Sequence, residues 1–214
     1  MIISHGRRYI FVHIPKTGGT ALSLALEARA MKDDILIGDT PKARRRRRRL
    51  DGVRTSGRLW KHARLSDIYG LVTQREIEEF FTFTLVRNPW DRVVSYYHWL
   101  RAQRFDHPAV GLAQRHGFSA FLNHPQTRGS LAAAPYGHYM QDRDGAERCD
   151  AFIRLEQLEA DLAPLAAHLG FAPEVGRANA SDRVAAYRAC YSDDDAALVA
   201  QLCAEDINRF GYNF

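Results

Sequence analysis

Tyr9–Ile14 (Y-I-F-V-H-I) is a short apolar run rich in β-formers, which predicts a strand buried on both faces. Pro15 stops it and Gly18-Gly19 follow. From Thr20 to Glu27 apolar residues return at Ala21, Leu22, Ala25 and Leu26, the spacing of a helix. A second strand is expected at Phe81–Val86 (F-T-F-T-L-V). Beyond Arg87, Asn88 suits a helix cap and Pro89 a first turn, so a helix should run from about Trp90 to about Arg104. Leu65–Phe80 reads as one helix, with Ile68, Leu71, Ile77 and Phe80 near one face. Met31–Leu59 is polar with little periodicity and reads as a long, partly mobile loop. Phe105–Arg148 carries short helical pieces such as Phe118–Asn123, separated by loops with Pro108, Pro125 and Pro135. Asp150–Leu155 suggests a third strand, and Glu156–Leu169 an amphipathic helix ended by Gly170. Gly176–Arg183 is polar and loop-like. Ser192–Asp195 supplies the cap and acidic first turn of a last helix that ends near Phe210, with Gly211 at its stop. Strands alternating with helices imply an α/β fold with a largely parallel sheet. Neither repeats nor a linker appear, so residues 1–214 read as one domain.

Composition changes this picture little. With 46% hydrophobic and 26% charged residues, the chain is an ordinary globular one. The formal charge of +5 is local, because six basic residues form the run Arg44–Arg49, and without them the rest of the chain stands at −1. Cys149, Cys190 and Cys203 are odd in number and widely spaced, which fits neither a disulfide framework nor a cysteine zinc site. No stretch approaches the ~20 apolar residues of a membrane span, and no leader pattern is visible. The expectation is a soluble, cytoplasmic protein with reduced thiols.

The chemistry concentrates where strands give way to helices. In His13-Ile14-Pro15-Lys16-Thr17-Gly18-Gly19-Thr20 a strand delivers the chain to a tight loop and a helix starts at once. Unpaired first-turn N–H groups and the helix dipole favour an anion there. Gly18 and Gly19 let the backbone approach a phosphate, Lys16 adds a mobile charge, and the Thr17 and Thr20 hydroxyls add donors. The order differs from the G-x-x-x-x-G-K-[ST] motif of nucleoside triphosphatases, since Lys16 precedes the glycine pair. Magnesium-ATP hydrolysis is therefore disfavoured.

The second strand ends at Arg87-Asn88-Pro89-Trp90-Asp91-Arg92-Val93-Val94-Ser95. Arg87 stands at the carboxyl end of the strand, where open α/β sheets bind ligands, and its guanidinium can grip a phosphate with two parallel bonds. Ser95 lies about two helical turns on and can face the same ligand. The plainer alternative pairs Arg87 with Asp91 and makes Ser95 a packed hydroxyl. Two anion sites at two strand ends suit one ligand with phosphates at both ends, the shape of a 3′,5′-bisphosphorylated nucleotide.

The strings F-V-H-I-P-K-T-G-G-T and T-L-V-R-N-P-W-D-R-V-V-S-Y-Y resemble the two cofactor motifs of sulfotransferases, in particular the branch of carbohydrate sulfotransferases of heparan sulfate 2-O type and their bacterial relatives. Phe152–Glu156, Asn179-Ala180-Ser181 and the tail Ala204–Tyr212 extend the likeness, which is weak between about 105 and 148. The resemblance implies a P-loop-like three-layer fold, a central mostly parallel sheet flanked by helices. It implies 3′-phosphoadenosine 5′-phosphosulfate (PAPS) as cofactor, with 3′,5′-ADP as product and no metal. By the same resemblance Lys16, Thr17, Gly18, Gly19 and Thr20 hold the 5′-phosphosulfate, Arg87 and Ser95 hold the 3′-phosphate, and Asn179 and Ser181 help at the nucleotide. The acceptor would be a hydroxyl, on family grounds that of a carbohydrate.

Sulfuryl transfer needs a base near the acceptor and a cation near the leaving phosphate. Lys16 suits the second task. Of nine histidines, His62 in Leu59-Trp60-Lys61-His62-Ala63 is the candidate base, because related enzymes carry a histidine in this interval. His13 is the runner-up, with a structural role bonding the loop backbone as its other reading; His98, three residues after Ser95, reads as exposed on the second helix, and His138 as a residue lining the acceptor cleft. No H-x-x-x-H or H-E-x-x-H pattern calls for a metal. The Arg44–Arg49 run supports a competing reading, a module that binds nucleic acid or another polyanion, against which stands the lack of any known nucleic-acid motif. An ATP-dependent phosphotransferase is the third class.

Overall fold

The computed structural model describes residues 1–176 and 187–214. The described chain divides into two compact units, one formed by 1–86 with 136–176 and the other by 87–135 with 187–214.

The first unit holds a five-stranded sheet. Its strands are β1 (Ile2–Ser4), β2 (Tyr9–Val12), β3 (Ile35–Leu36), β4 (Phe81–Val86) and β5 (Ala151–Arg154), in the order β3-β1-β2-β4-β5. β2, β4 and β5 are parallel neighbours, while β1 is antiparallel to both β2 and β3. Four strands thus share a direction and β1 opposes them, so the sheet is mostly parallel, as expected. Register sets Val12 against Thr84 and Val86 against Arg154, which brings the carboxyl ends of β2, β4 and β5 to one edge.

Strand alternation builds two cores. Ile3, Ile10 and Val12 face one side, where Ala63, Leu65, Ile68, Ile77 and Phe80 cover them. Tyr9, Phe11, Phe83, Leu85 and Ile153 face the other, where Leu22, Leu26 and Leu165 pack. Helices therefore sandwich this sheet in three layers. Leu22 has no exposed surface, and truncating such a side chain costs about 2–5 kcal/mol.

The helices of this unit are α1 (Gly19–Ala28), α2 (Pro41–Arg46) and α3 (Gln74–Glu79) before β4, with others after β4. Four expectations need correction. Met31–Leu59 is not a loop: it holds β3, α2 and a 3₁₀ turn at Arg47–Leu50, so most of the arginine run is helical. Thr40 caps α2 by accepting from the Ala43 N–H, Pro41 opens it, and its arginines crowd the end where the helix dipole favours cations. Leu65–Phe80 is not one helix: a 3₁₀ turn at Leu65–Ile68 gives way at Gly70, whose φ of +108° leaves the helical region, and Thr73 caps a fresh start at α3. Glu156–Leu169 is broken around Leu162, where Pro164 lacks the N–H that a continuous helix needs. The last helix is likewise two, interrupted at Cys203.

The second unit is helical. α4 (Pro89–Arg101) is followed by α5 (Pro108–Arg115), α6 (Phe118–Asn123) and α7 (Pro125–Ala132). In the first unit come α8 (Tyr136–Tyr139), α9 (Leu158–Asp161) and α10 (Ala163–Leu169), and back in the second α11 (Asp193–Leu202) and α12 (Ala204–Phe210). Trp90, Val93, Leu122, Val199 and Cys203 form one core of the second unit; Tyr97, Leu100, Val110 and Phe121 form another. Among the described residues no helix is long and apolar enough to cross a membrane, and none of the three cysteines forms a disulfide.

Candidate functional site

The loop between β2 and α1 is shaped by two backbone reversals. Lys16 has φ +68° and Gly18 φ +90°. The first is an unusual conformation for a residue with a Cβ and costs about 1–2 kcal/mol; the second is free only to glycine. Thr17 is fully buried, and its hydroxyl donates to the Ile14 carbonyl at 2.9 Å, closing the loop on the strand end. What Thr17 offers a ligand is thus its N–H, not the hydroxyl donor expected from sequence. Among the described residues no acceptor meets the N–H groups of Thr17, Gly18, Gly19 or Thr20. Such donors at a helix start favour a phosphate-like anion.

Gly19 is required by its neighbour. A Cβ there would stand 2.2 Å from Cδ2 of the His13 ring. The imidazole therefore lies directly against the helix start. Burial keeps His13 well below the ordinary histidine pKa, and the charges of His62, Lys61 and Lys16 act in the same direction. It is a neutral ring at pH 7, close enough to Lys16 to feel its charge.

His62 joins this cluster from a segment distant in sequence. Its ring meets His13 edge-on, with centroids 4.8 Å apart, and Nδ1 lies 2.8 Å from the His13 carbonyl oxygen. A carbonyl only accepts, so Nδ1 carries the proton and Nε2 keeps its lone pair. Burial lowers the His62 pKa to about 4; the bond to His13 opposes that shift and the Lys61 charge adds to it. The result is an imidazole held neutral, in one tautomer, with a proton-accepting nitrogen available. The segment is anchored on both sides. The Met1 nitrogen donates to the carbonyls of Lys61 at 3.2 Å and Ile37 at 3.0 Å, and Lys61 pairs with Asp39 at 2.6 Å. Ala63 and Leu65 are buried in the core beneath.

In the second unit, the Asn88 side chain accepts from the Trp90 N–H at 3.1 Å, capping α4 as expected. Its amide also donates to the Asn213 carbonyl at 2.9 Å. Arg87 is 6% exposed and pairs with Asp91 through Nε at 2.7 Å and Nη2 at 2.6 Å. The pair foreseen as the plainer alternative is thus formed. It fixes the guanidinium by one edge and leaves its orientation set before any ligand arrives. Ser95 is buried on α4, and its hydroxyl has no hydrogen-bond partner among the described residues. Asn179 and Ser181 lie outside the described residues.

The geometry thus gathers Lys16–Thr20, His13 and His62 in one unit and Arg87 with Ser95 in the other. Sequence reasoning missed what surrounds His62. The His13 carbonyl fixes its tautomer, and Trp60 lies against it with ring centroids 5.0 Å apart and planes at 85°. The adjacent aromatic in Trp60-Lys61-His62 was the available signal. Among the described residues no cluster of three or more His, Cys, Asp or Glu side chains could hold a metal ion.

Comparison with known proteins follows from this geometry. A family model described as "Sulfotransferase family" matches residues 1–213. No curated protein matches the chain. Among solved structures, the mouse sulfotransferase SULT7A1 complexed with PAP is similar, with 15% sequence identity and a TM-score of 0.36 over 93% of this chain and 64% of that one. The chain therefore spans less than two thirds of that relative's length.

Proposed function

The chain belongs to the sulfotransferase family, and on that premise we propose that it moves a sulfuryl group from PAPS to an acceptor hydroxyl, that of a carbohydrate, with His62 as base. The observation that carries the reading is the cradle at the start of α1, four N–H groups without an acceptor beside Lys16 and a neutral histidine pair.

When bound, PAPS would supply the activated sulfuryl group with 3′,5′-ADP as its leaving group. The N–H groups of Thr17 to Thr20 would hold the 5′-phosphosulfate. Lys16 would sit by the bridging oxygen and offset the charge that grows there. Nε2 of His62 would take the acceptor proton. Arg87 and Ser95 would hold the 3′-phosphate, with Asp91 keeping the guanidinium in position, and Asn179 and Ser181 would help at the nucleotide. The chain would act as one catalytic domain in the cytoplasm, its thiols reduced.

The reading is tested by offering ³⁵S-labelled PAPS with a panel of oligosaccharides and simple alcohols. The expected result is label in a carbohydrate, matched one to one by 3′,5′-ADP. Label only in inorganic sulfate across the panel argues against transfer to a hydroxyl. Arg87 gives a second expectation. Arg87→Lys should weaken 3′,5′-ADP binding about 10–100-fold, since charge-assisted hydrogen bonds contribute about 1.5–3 kcal/mol, while kcat at saturating PAPS changes far less. Lysine preserves the charge opposite half-buried Asp91, so the fold is spared an unpaired carboxylate. Calorimetric titration and saturation kinetics separate the two effects.

A further inference from the structure

The β3 edge of the sheet borders a cleft that has no task in the scheme above. It lies within the first unit, between Lys32–Leu36, the arginine run and Gly70-Leu71. Its volume is about 720 Å³, the size of a small-molecule site. Ile35, Leu36, Leu50, Val53 and Leu71 supply aliphatic walls, and Lys32, Arg46 and Arg49 stand among them. Arg46 is braced, because its Nη1 donates to the carbonyls of Met31 at 2.8 Å and Asp34 at 3.0 Å. Nη1 of Arg49 donates to the Lys32 carbonyl. Neither guanidinium has another partner among the described residues, so Nε and Nη2 of each stay available. Two carboxylates also border the cleft. Asp34 has no exposed surface, and its Oδ2 accepts from the Met31 N–H at 2.8 Å. Asp33 is exposed, so three cations face one accessible carboxylate.

Aliphatic walls and guanidiniums at the rim match one kind of molecule. An alkyl chain gains by leaving water for such walls. The available N–H groups of a guanidinium grip carboxylate or phosphate oxygens with two parallel bonds. Bracing by backbone carbonyls orients Arg46 and Arg49 beforehand, which lowers the cost of ordering them on a ligand. We propose that the cleft binds an anionic amphiphile, one aliphatic chain ending in a carboxylate or phosphate. The chain would lie along Ile35, Leu50 and Leu71, with its head at Arg46 and Arg49. The occupant is a single free molecule rather than a bilayer, because of the five aliphatic wall residues only Val53 is exposed. None of the lining residues belongs to the Lys16–Thr20 cradle or to the segment around His62. The site therefore goes beyond the sulfotransferase reading and does not depend on it.

The full chain is titrated calorimetrically with hexanoate, octanoate and decanoate below their micelle concentrations, and with the alcohols and trimethylammonium salts of the same lengths. One carboxylate per chain is expected, with affinity rising about fourfold for each added methylene. The carboxylate should bind at least tenfold tighter than its alcohol, and the ammonium salt weakest of the three. Val53→Trp fills the cleft from an exposed position that spares the core, and should weaken decanoate at least tenfold. Arg46→Gln combined with Arg49→Gln should bring the carboxylate level with the alcohol while the dependence on chain length persists. If loss of the Arg46 brace unfolds that protein, Arg49→Gln alone, at an exposed position, should still cut the preference at least threefold. Arg45→Gln combined with Arg48→Gln, exposed in the same run but outside the cleft, should change neither property. A merely structural role for Arg46 and Arg49 would lower the melting temperature and leave the preference for charge in place. Equal binding of carboxylate and alcohol, no binding of either, or an equal loss in the Arg45 and Arg48 variant would overturn the proposal. Displacement of decanoate by 3′,5′-ADP would do the same, as would binding only to vesicles of anionic phospholipid. Failure of the wild type to bind 3′,5′-ADP would instead count against the sulfotransferase reading and leave the cleft untouched.

Discussion

Lys16→Ala should lower kcat about 10²–10³-fold, the effect of removing one group that stabilises charge in a transition state. The fold should survive, because alanine meets the same backbone constraint. Lys16 holds φ at +68°, a strained value for any residue with a Cβ, so lysine and alanine carry similar backbone strain. Lys16→Gly offers the internal control. Glycine relieves the strain, so that variant should be more stable than Lys16→Ala by about 1 kcal/mol and equally inactive. Steady-state turnover and thermal melting of the two variants read both effects. A stable Lys16→Gly protein with full turnover would remove the lysine from the chemistry.

His62→Ala should lower turnover about 10²–10⁴-fold, the usual contribution of a general base, and leave 3′,5′-ADP binding within a few-fold of the wild type. The pH dependence carries a sharper signature. Burial puts the His62 pKa at about 4, below the ordinary 6.5. Turnover should therefore stay level as pH falls through 6.5 and decline only towards pH 4. Stability has its own window. Between pH 6.5 and about 4 the unfolded chain binds a proton at this position that the folded chain refuses. The folded state is therefore favoured above pH 6.5 and loses that advantage as pH falls to 4. His62→Ala should flatten part of this loss, and the remainder belongs in part to His13, which burial shifts in the same direction. Melting curves from pH 7.5 to 4.5 test it; a slope unchanged by the substitution would place His62 in a more open environment.

How much of this could be read from the chain depended on whether each feature is local. β2, the glycine loop and α1 form one continuous stretch, and the change from an apolar run to helical spacing marks both ends. β4 and the Asn88 cap were equally legible. β1 and β3 were not, because three and two residues are too few to show a period, and their place in the sheet comes from pairing across the chain. The arginine run hid a helix, since α2 buries only Ala43 and so has no apolar stripe to find. Gly70 was legible as a residue but not as a break, because the apolar residues around it kept helical spacing on both sides. At the candidate site, the reading of Lys16–Thr20 as an anion cradle rests on residue types alone. The state of His62 does not: its tautomer depends on a carbonyl 49 positions away. The Arg87–Asp91 pair was foreseen, but a spacing of four on a helix cannot tell whether such a pair competes with a ligand or orients a side chain for one.

The central claim is a nucleotide held by phosphates at both ends, and calorimetric titration with 3′,5′-ADP, 5′-AMP and magnesium-ATP tests it directly. The account predicts that 3′,5′-ADP binds one per chain, that 5′-AMP binds more weakly by tenfold or more, about 1.4 kcal/mol or beyond, and that magnesium-ATP does not displace the bisphosphate. Equal affinity for 5′-AMP, or displacement by magnesium-ATP, would contradict it.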